Sequence, residues 1–348
     1  MMTIGLVGLG NFGKRHLEAW CRLGYGDRLW IAEPNQTKWV EATRRGIPGS
    51  RVADSLAVIA EHVDAVDIVT PTDQHATLCQ EALELGKDVL VEKPMTMTSS
   101  QARALAELAQ ARGRVLQVGY YYRCHPISLR LKEALRSGRF GRVRYLTGNF
   151  YGFKRARTDV GVTYTDGIHF LDVFNWLLDS PPVDVYAVCR DHFKRGLEDF
   201  SVVLLTYPDG VVAKVESGYI QPGRWPDPVV PEAMTTKEIT LVGEQAVAQI
   251  DFEAQTFTIS DAHHEPRAGT WAPVLGQPDS IPVDLCDPVE LVSRELAAFV
   301  ESVKTRAPSV AGPVECGVNP AVLMEAIYDS AHRRERVPVD LGTLMKVS

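Results

Sequence analysis

At 348 residues, with 45% hydrophobic and 23% charged side chains, the chain has the length of about two domains and the composition of a globular protein. A formal net charge of -7 and a pI near 5.8 exclude the broad basic surface that grips nucleic acid regardless of sequence. No apolar run approaches the ~18 to 20 residues that cross a bilayer, and the first strand starts so near the N-terminus that no signal or transit peptide is expected, which points to a cytoplasmic protein.

The chain opens on Thr3-Ile4-Gly5-Leu6-Val7-Gly8-Leu9-Gly10-Asn11-Phe12-Gly13, an apolar run that breaks into three glycines and continues as a helix-like segment, Lys14 to Leu23. In a dinucleotide site these glycines have separate tasks. Gly8 makes the sharp turn, Gly10 lets a diphosphate approach bare backbone, and Gly13 seats the helix against the strand, with Asn11 and Phe12 between them. The helix N-terminus offers N–H groups and partial positive charge to the phosphates. A second apolar run, Leu29 to Ala32, ends in Glu33, about 20 residues beyond the last glycine, where a carboxylate binds the ribose hydroxyls and repels a 2'-phosphate. NAD is therefore favoured over NADP, although Lys38, Arg44 and Arg45 lie close by. A triphosphate-binding P-loop would need Ser or Thr after Gly13-Lys14, and the residue there is Arg15.

Short apolar runs then alternate with helical stretches, as in a parallel sheet with helical crossovers. Ala65 to Thr70 reads as a strand and Gln74 to Leu85 as a helix stopped by Gly86. Asp88 to Glu92 is a strand, and Ser99 or Ser100 caps a helix that ends at Gly113. Val115 to Gly119 closes the series. Ligands gather at the carboxyl ends of such strands, which here carry Thr70, Thr72 and His75, then Glu92-Lys93-Pro94, then Tyr120 to Pro126 with Arg123.

From about Pro126 the pattern changes. A helix from Ile127 to Arg136 is followed by alternating strands, Val143 to Tyr151, Val183 to Arg190, Phe200 to Tyr207, Val211 to Tyr219, Lys237 to Val242, Ala246 to Phe252 and Thr256 to Ser260. Pro208-Asp209-Gly210 is a tight turn, Gln221 to Pro231 an irregular loop with four prolines, and Ile168 to Leu178 one helix within the series. Late helices run over Val289 to Lys304 and Asn319 to Arg333. The fold class is thus an α/β Rossmann doubly wound parallel sheet, residues 1–124, plus an α+β domain with a large, mostly antiparallel open-faced sheet, residues 125–348, for substrate and self-association. Six cysteines without a C-x-x-C pair suggest neither zinc nor a disulfide framework, and no grouping of histidines and cysteines has metal-ligand spacing.

Two groups carry chemistry. Pro94 ends a buried strand and holds Lys93 at the sheet's edge, where an ammonium beside a cationic nicotinamide loses its proton readily and serves as base or acid on a substrate hydroxyl. Thr165-Asp166-Gly167-Ile168-His169-Phe170-Leu171-Asp172 sets Asp166 and Asp172 each three residues from His169, so that helical spacing brings a carboxylate beside the imidazole.

Taken with Gly8 to Gly13, Thr70-Pro71-Thr72 with His75, Glu92-Lys93-Pro94, Val118-Gly119 with Arg123 and Pro126, and Gly167-Ile168-His169 with Asp172, the chain resembles the glucose-fructose oxidoreductase / inositol dehydrogenase (Gfo/Idh/MocA) family along nearly its full length. The resemblance implies an NAD-dependent dehydrogenase in which the family's lysine maps onto Lys93 and its histidine onto His169, the two sharing the hydroxyl to be oxidised. It also implies a homodimer or homotetramer formed through the sheet domain. The family often carries an aspartate four residues before the histidine; this chain has Thr165 there, with Asp166 displaced by one.

Ahead of that helix, Lys154, Arg155 and Arg157 form a basic group, and Lys194 and Arg195 a second one, where an anionic part of a substrate would dock. The run from Lys154 to His169 is similar to nucleotide-sugar members of the family, which implies oxidation at C3 of a sugar such as UDP-N-acetylglucosamine. A dehydrogenase of a free sugar or inositol and a non-catalytic NAD-binding regulator are the alternatives.

Overall fold

The structure, a computed structural model, describes residues 2–341. The described chain forms two compact units, one of residues 2–124 plus Cys286–Ala321, the other of His125–Leu285 plus residues 322–341.

In the first unit β1 (Ile4–Val7), β2 (Leu29–Ala32), β3 (Val52–Ala53), β4 (Ala65–Ile68), β5 (Asp88–Glu92) and β6 (Leu116–Gly119) form one sheet in the order β3-β2-β1-β4-β5-β6, every pair parallel. The order reverses at β1, which places the mouth of the sheet beside the glycine turn. The crossovers contain α1 (Gly13–Arg22), α2 (Trp39–Arg44), α3 (Leu56–Ile59), α4 (Thr72–Glu84) and α5 (Ser99–Arg112). Two starts differ from expectation. Helix α4 begins two residues early, at Thr72, and the side chain that caps α5 is that of Thr98, which accepts from the Gln101 N–H at 3.3 Å. Gly113 ends α5 at a φ of +59°.

The second unit begins with α6 (Pro126–Arg136), whose first turn receives a proline where no N–H is missed. It continues through β7 (Val143–Phe153), α7 (Ile168–Leu177), β8 (Asp184–Arg190), β9 (Phe200–Thr206), β10 (Val212–Gly218), β11 (Trp225–Pro226), β12 (Met234–Gly243), β13 (Ala246–Asp251), β14 (Thr256–Arg267), β15 (Thr270–Leu275) and β16 (Asp279–Ser280). The large sheet runs β15-β14-β13-β12-β7-β10-β9-β8-β17, where β17 is Val337–Pro338. Only β7 and β10 pair in parallel along this path, Tyr145 opposite Val212, so the sheet is mixed and mostly antiparallel. Helix α7 lays Phe170 on it, its ring tilted against those of Phe150 and Phe252. A fully buried side chain of that size is worth about 1.5–3 kcal/mol.

The remaining helices are α8 (Pro288–Thr305) and α9 (Glu315–Arg333). Although 125–348 was expected to be one domain, Val292, Leu296, Phe299 and Val303 of α8 share a core with Leu17 and Trp20 of α1 and with Ile4 and Leu6 of β1. The apolar stripe of α8 is legible in sequence, but a stripe does not say which sheet it covers. All six cysteines are free thiols. Among the described residues no helix is long and apolar enough to cross a membrane.

Candidate active site

The glycine turn has the three expected properties. A Cβ on Gly8, where φ is +102°, would lie 2.5 Å from the Val69 carbonyl oxygen, and one on Gly13 would lie 2.2 Å from that of Gly8. A Cβ on Gly10 would meet nothing within 4 Å. The turn is therefore closed on its two flanks and open at its middle, which fits a diphosphate resting on bare backbone. Helix α1 has no side-chain cap of its own at Phe12 and Asn11 is exposed, so this N-terminus suits an anion. Glu33, only 3% exposed at the end of β2, is fixed by the N–H of Leu9 at 2.7 Å and that of Asn35 at 3.0 Å, with Lys38 Nζ 3.2 Å away. Its carboxylate is thus held at the end of β2 by backbone N–H groups, one of them from the glycine turn.

The other strand ends hold the remaining residues of this unit. Thr70 touches the space beside Gly8, and Thr72 is buried at the start of α4. His75 is buried with Nδ1 2.8 Å from the Pro94 carbonyl oxygen and Nε2 3.0 Å from that of Thr70, so it ties two strand ends together from behind. Lys93 follows β5, half-buried, with a cis peptide bond to Pro94. Arg123 is nearly buried in a single 3-10 turn after β6, beside Tyr121, whose ring lies 5.9 Å from that of Phe12.

Glu92 points inward, to a cluster the sequence did not announce. Its Oε1 lies 3.2 Å from His16 Nε2, and His16 Nδ1 lies 2.9 Å from Asp67 Oδ2, which also accepts from Trp20 Nε1 at 2.7 Å. Glu295 of α8 brings its carboxylate into the same place, so that ligand atoms of His16, Glu92 and Glu295 lie within 4.8 Å of one another. Burial opposes a charged imidazole here, yet Asp67 and then Glu92 outweigh it and hold His16 protonated well above the ordinary imidazole range. A raised folded value adds stability that is complete below the ordinary imidazole pKa and is lost as pH rises through the folded one. The gap in Tm between wild-type apoprotein and His16→Gln is therefore expected to narrow on alkaline titration, as a series of thermal scans would show.

In the second unit, residues Thr163–Gly167 form a π-helical turn that runs into α7. Single π turns often mark functional sites, because the extra residue re-aims the side chains around it. Asp166 lies within this turn. Its Oδ1 takes Lys154 Nζ at 2.9 Å, an ion pair almost out of solvent, while its Oδ2 is buried with no hydrogen-bond partner among the described residues. Thr165 donates to the Gly161 carbonyl at 2.9 Å. His169 is 4% exposed and stacks on Phe150, their ring planes 15° apart. Lys154 Nζ sits 5.9 Å from the ring centroids of both Phe150 and Tyr219.

Basic residues expected in two patches meet in one. Arg195 donates to the carbonyl of Arg157, whose own side chain pairs with Asp159. Arg155 is exposed. Lys237 was not foreseen: opposite Phe150 in the β7–β12 register, it is 4% exposed, 5.3 Å from that ring, and paired with Glu253 and Asp227. Its inward place in an alternating strand was the available signal, and charge obscured it.

A family model described as an oxidoreductase family with an NAD-binding Rossmann fold matches residues 2–120, and one described as a GFO/IDH/MocA C-terminal domain matches residues 128–249. The chain is similar to the UDP-N-acetylglucosamine 3-dehydrogenase of Acidithiobacillus ferrooxidans, 27% identical over 310 residues that cover 88% of this chain and 90% of that protein. It is 29% identical to an inositol 2-dehydrogenase of Corynebacterium glutamicum over 71% of this chain and 75% of that one. A levoglucosan dehydrogenase solved with NADH has the same fold, with a TM-score of 0.80 at 19% identity, covering 97% of this chain and 99% of that one.

Proposed function

This chain belongs to the Gfo/Idh/MocA family of NAD-binding oxidoreductases, and from that premise we propose that it oxidises a secondary hydroxyl of a sugar to the ketone, the best-supported substrate being a nucleotide sugar such as UDP-N-acetylglucosamine at C3. Bound NAD supplies the acceptor for the hydride that leaves the carbinol carbon. Lys93 takes the hydroxyl proton, and His169, stacked on Phe150, is a hydrogen-bonding group for the sugar. Asp166 anchors Lys154 through one oxygen and keeps the other as an acceptor for a substrate hydroxyl. Glu33 binds the ribose and so favours NAD over NADP.

The observation that carries the nucleotide-sugar reading is the hydrogen bond from Arg195 to the Arg157 carbonyl, which brings the two basic segments together in the unit that holds His169. Replacing Arg155 and Arg157 together by Met should raise KM for a UDP-sugar about tenfold, the loss of one or two charge-assisted contacts, and leave KM for a free polyol unchanged. The pairing of Lys154 with Asp166 and Arg157 with Asp159 favours the second reading, a neutral sugar or inositol, because paired cations attract an anion weakly. Incubation with NAD and a panel of UDP-sugars, inositols and free hexoses, followed by absorbance of the reduced cofactor, separates the two. Turnover of uncharged polyols alone would remove the diphosphate. Self-association through the open sheet face, where Tyr145 and Val212 lie exposed side by side, completes the proposal.

A further inference from the structure

The backbone from which Lys93 projects is held from two sides by buried histidines. His75 takes the Pro94 carbonyl, and His16 reaches the preceding residue through the Glu92 carboxylate. We propose that His16 and Glu92 are positioning residues for the Lys93 amine, a role that rests on the reading of Lys93 as the group that takes the substrate proton.

The chain of contacts is continuous within the first unit. Trp20 Nε1 donates to Asp67 Oδ2, which orients the His16 ring by its Nδ1. The far nitrogen of that ring lies 3.2 Å from Glu92 Oε1, an ion-pair contact without hydrogen-bond geometry, and Glu92 Oε2 accepts the Lys93 backbone N–H at 3.2 Å. The Glu92 carboxylate fits against the bare Cα of Gly119, where a Cβ would come within 2.6 Å of Oε1. Three carboxylates, from β4, β5 and α8, surround one imidazole out of solvent. Burying that many charges is costly, whereas an apolar filling of the same space would serve packing as well. The expense is understandable where the cluster ends, one residue before the amine that must hold its place to within fractions of an ångström.

The test compares His16→Gln, Glu92→Gln and the double variant with wild type and with Lys93→Ala. Each single variant is expected to lose kcat on the order of 10- to 100-fold, as small misplacements of a reacting group do, with cofactor Kd and substrate KM close to wild type. The double variant should be no worse than the poorer single one, because both interrupt the same chain. A second readout needs no cofactor: acylation of the Lys93 amine in the apoprotein, measured against surface lysines by peptide mass spectrometry, should change several-fold in both variants. Should His16→Gln not fold, Glu92→Gln, which keeps size and shape, carries the test by itself. Wild-type kcat with an unaltered Lys93 acylation rate would overturn the proposal, as would a loss explained wholly by cofactor Kd or a double variant whose losses multiply. If Lys93→Ala retains turnover, the assignment of the base fails instead, and the apoprotein acylation still decides whether His16 and Glu92 place the amine.

Discussion

Lys93→Ala should lower kcat by about 10²- to 10⁴-fold, the usual worth of a positioned general acid or base, and leave NAD binding near wild type. Lys93 stands at the carboxyl end of β5, a strand buried on every residue, and the residues on both sides of it are fixed to the core, Glu92 by His16 and Pro94 by His75. An amine on such a support loses little entropy when it meets its substrate, so its removal should register in turnover more than in binding. Steady-state rates with the substrate found in the panel, beside a fluorescence titration of NADH, measure the two effects separately. Near-normal turnover would take the proton transfer away from this residue, and a lost cofactor site would reduce Lys93 to a ligand of the nucleotide.

Much of this support was written openly in the chain. Parallel strands buried on both faces must be continuous apolar runs, so β1, β2, β4, β5 and β6 stood out, and the glycine turn and Glu-Lys-Pro lay where such strands end. Strand β3 has only two residues and could not stand out. The hairpin of β14 and β15 was missed past Ser260 because His263 to Arg267 are polar and mostly exposed, with neither face showing an apolar period. The π turn was invisible for a different reason. Hydrophobic spacing reports which face a helix buries, and one added residue before Ile168 alters hydrogen bonding without altering that face. Local spacing likewise had no access to His16, Asp67 and Glu92. Asp67 is one polar residue in apolar β4, Glu92 ends β5, and His16 is one of several polar residues of α1, and only the sheet order brings β4 and β5 to the side of α1.

Gly10→Val should weaken NAD binding by about 100-fold or more, a loss near 2.7 kcal/mol, without lowering Tm. The neighbouring glycines make the contrast informative. At Gly13 even an alanine would drive its Cβ to 2.2 Å from the Gly8 carbonyl, and at Gly8 both the positive φ and the Val69 carbonyl forbid a side chain, so substitutions there would damage the fold and the site together. Gly10 has neither restriction, since its φ lies outside the left-handed region and a Cβ there meets open space. Folding therefore has no use for the absence of a side chain at residue 10, whereas a diphosphate that must rest on the backbone does. Calorimetric titration with NAD together with a thermal scan of the apoprotein tests this directly. A Gly10→Val protein that binds NAD as wild type does would mean that the phosphates lie elsewhere, and a lowered Tm would mean that the turn is packed more tightly at residue 10 than its open geometry allows.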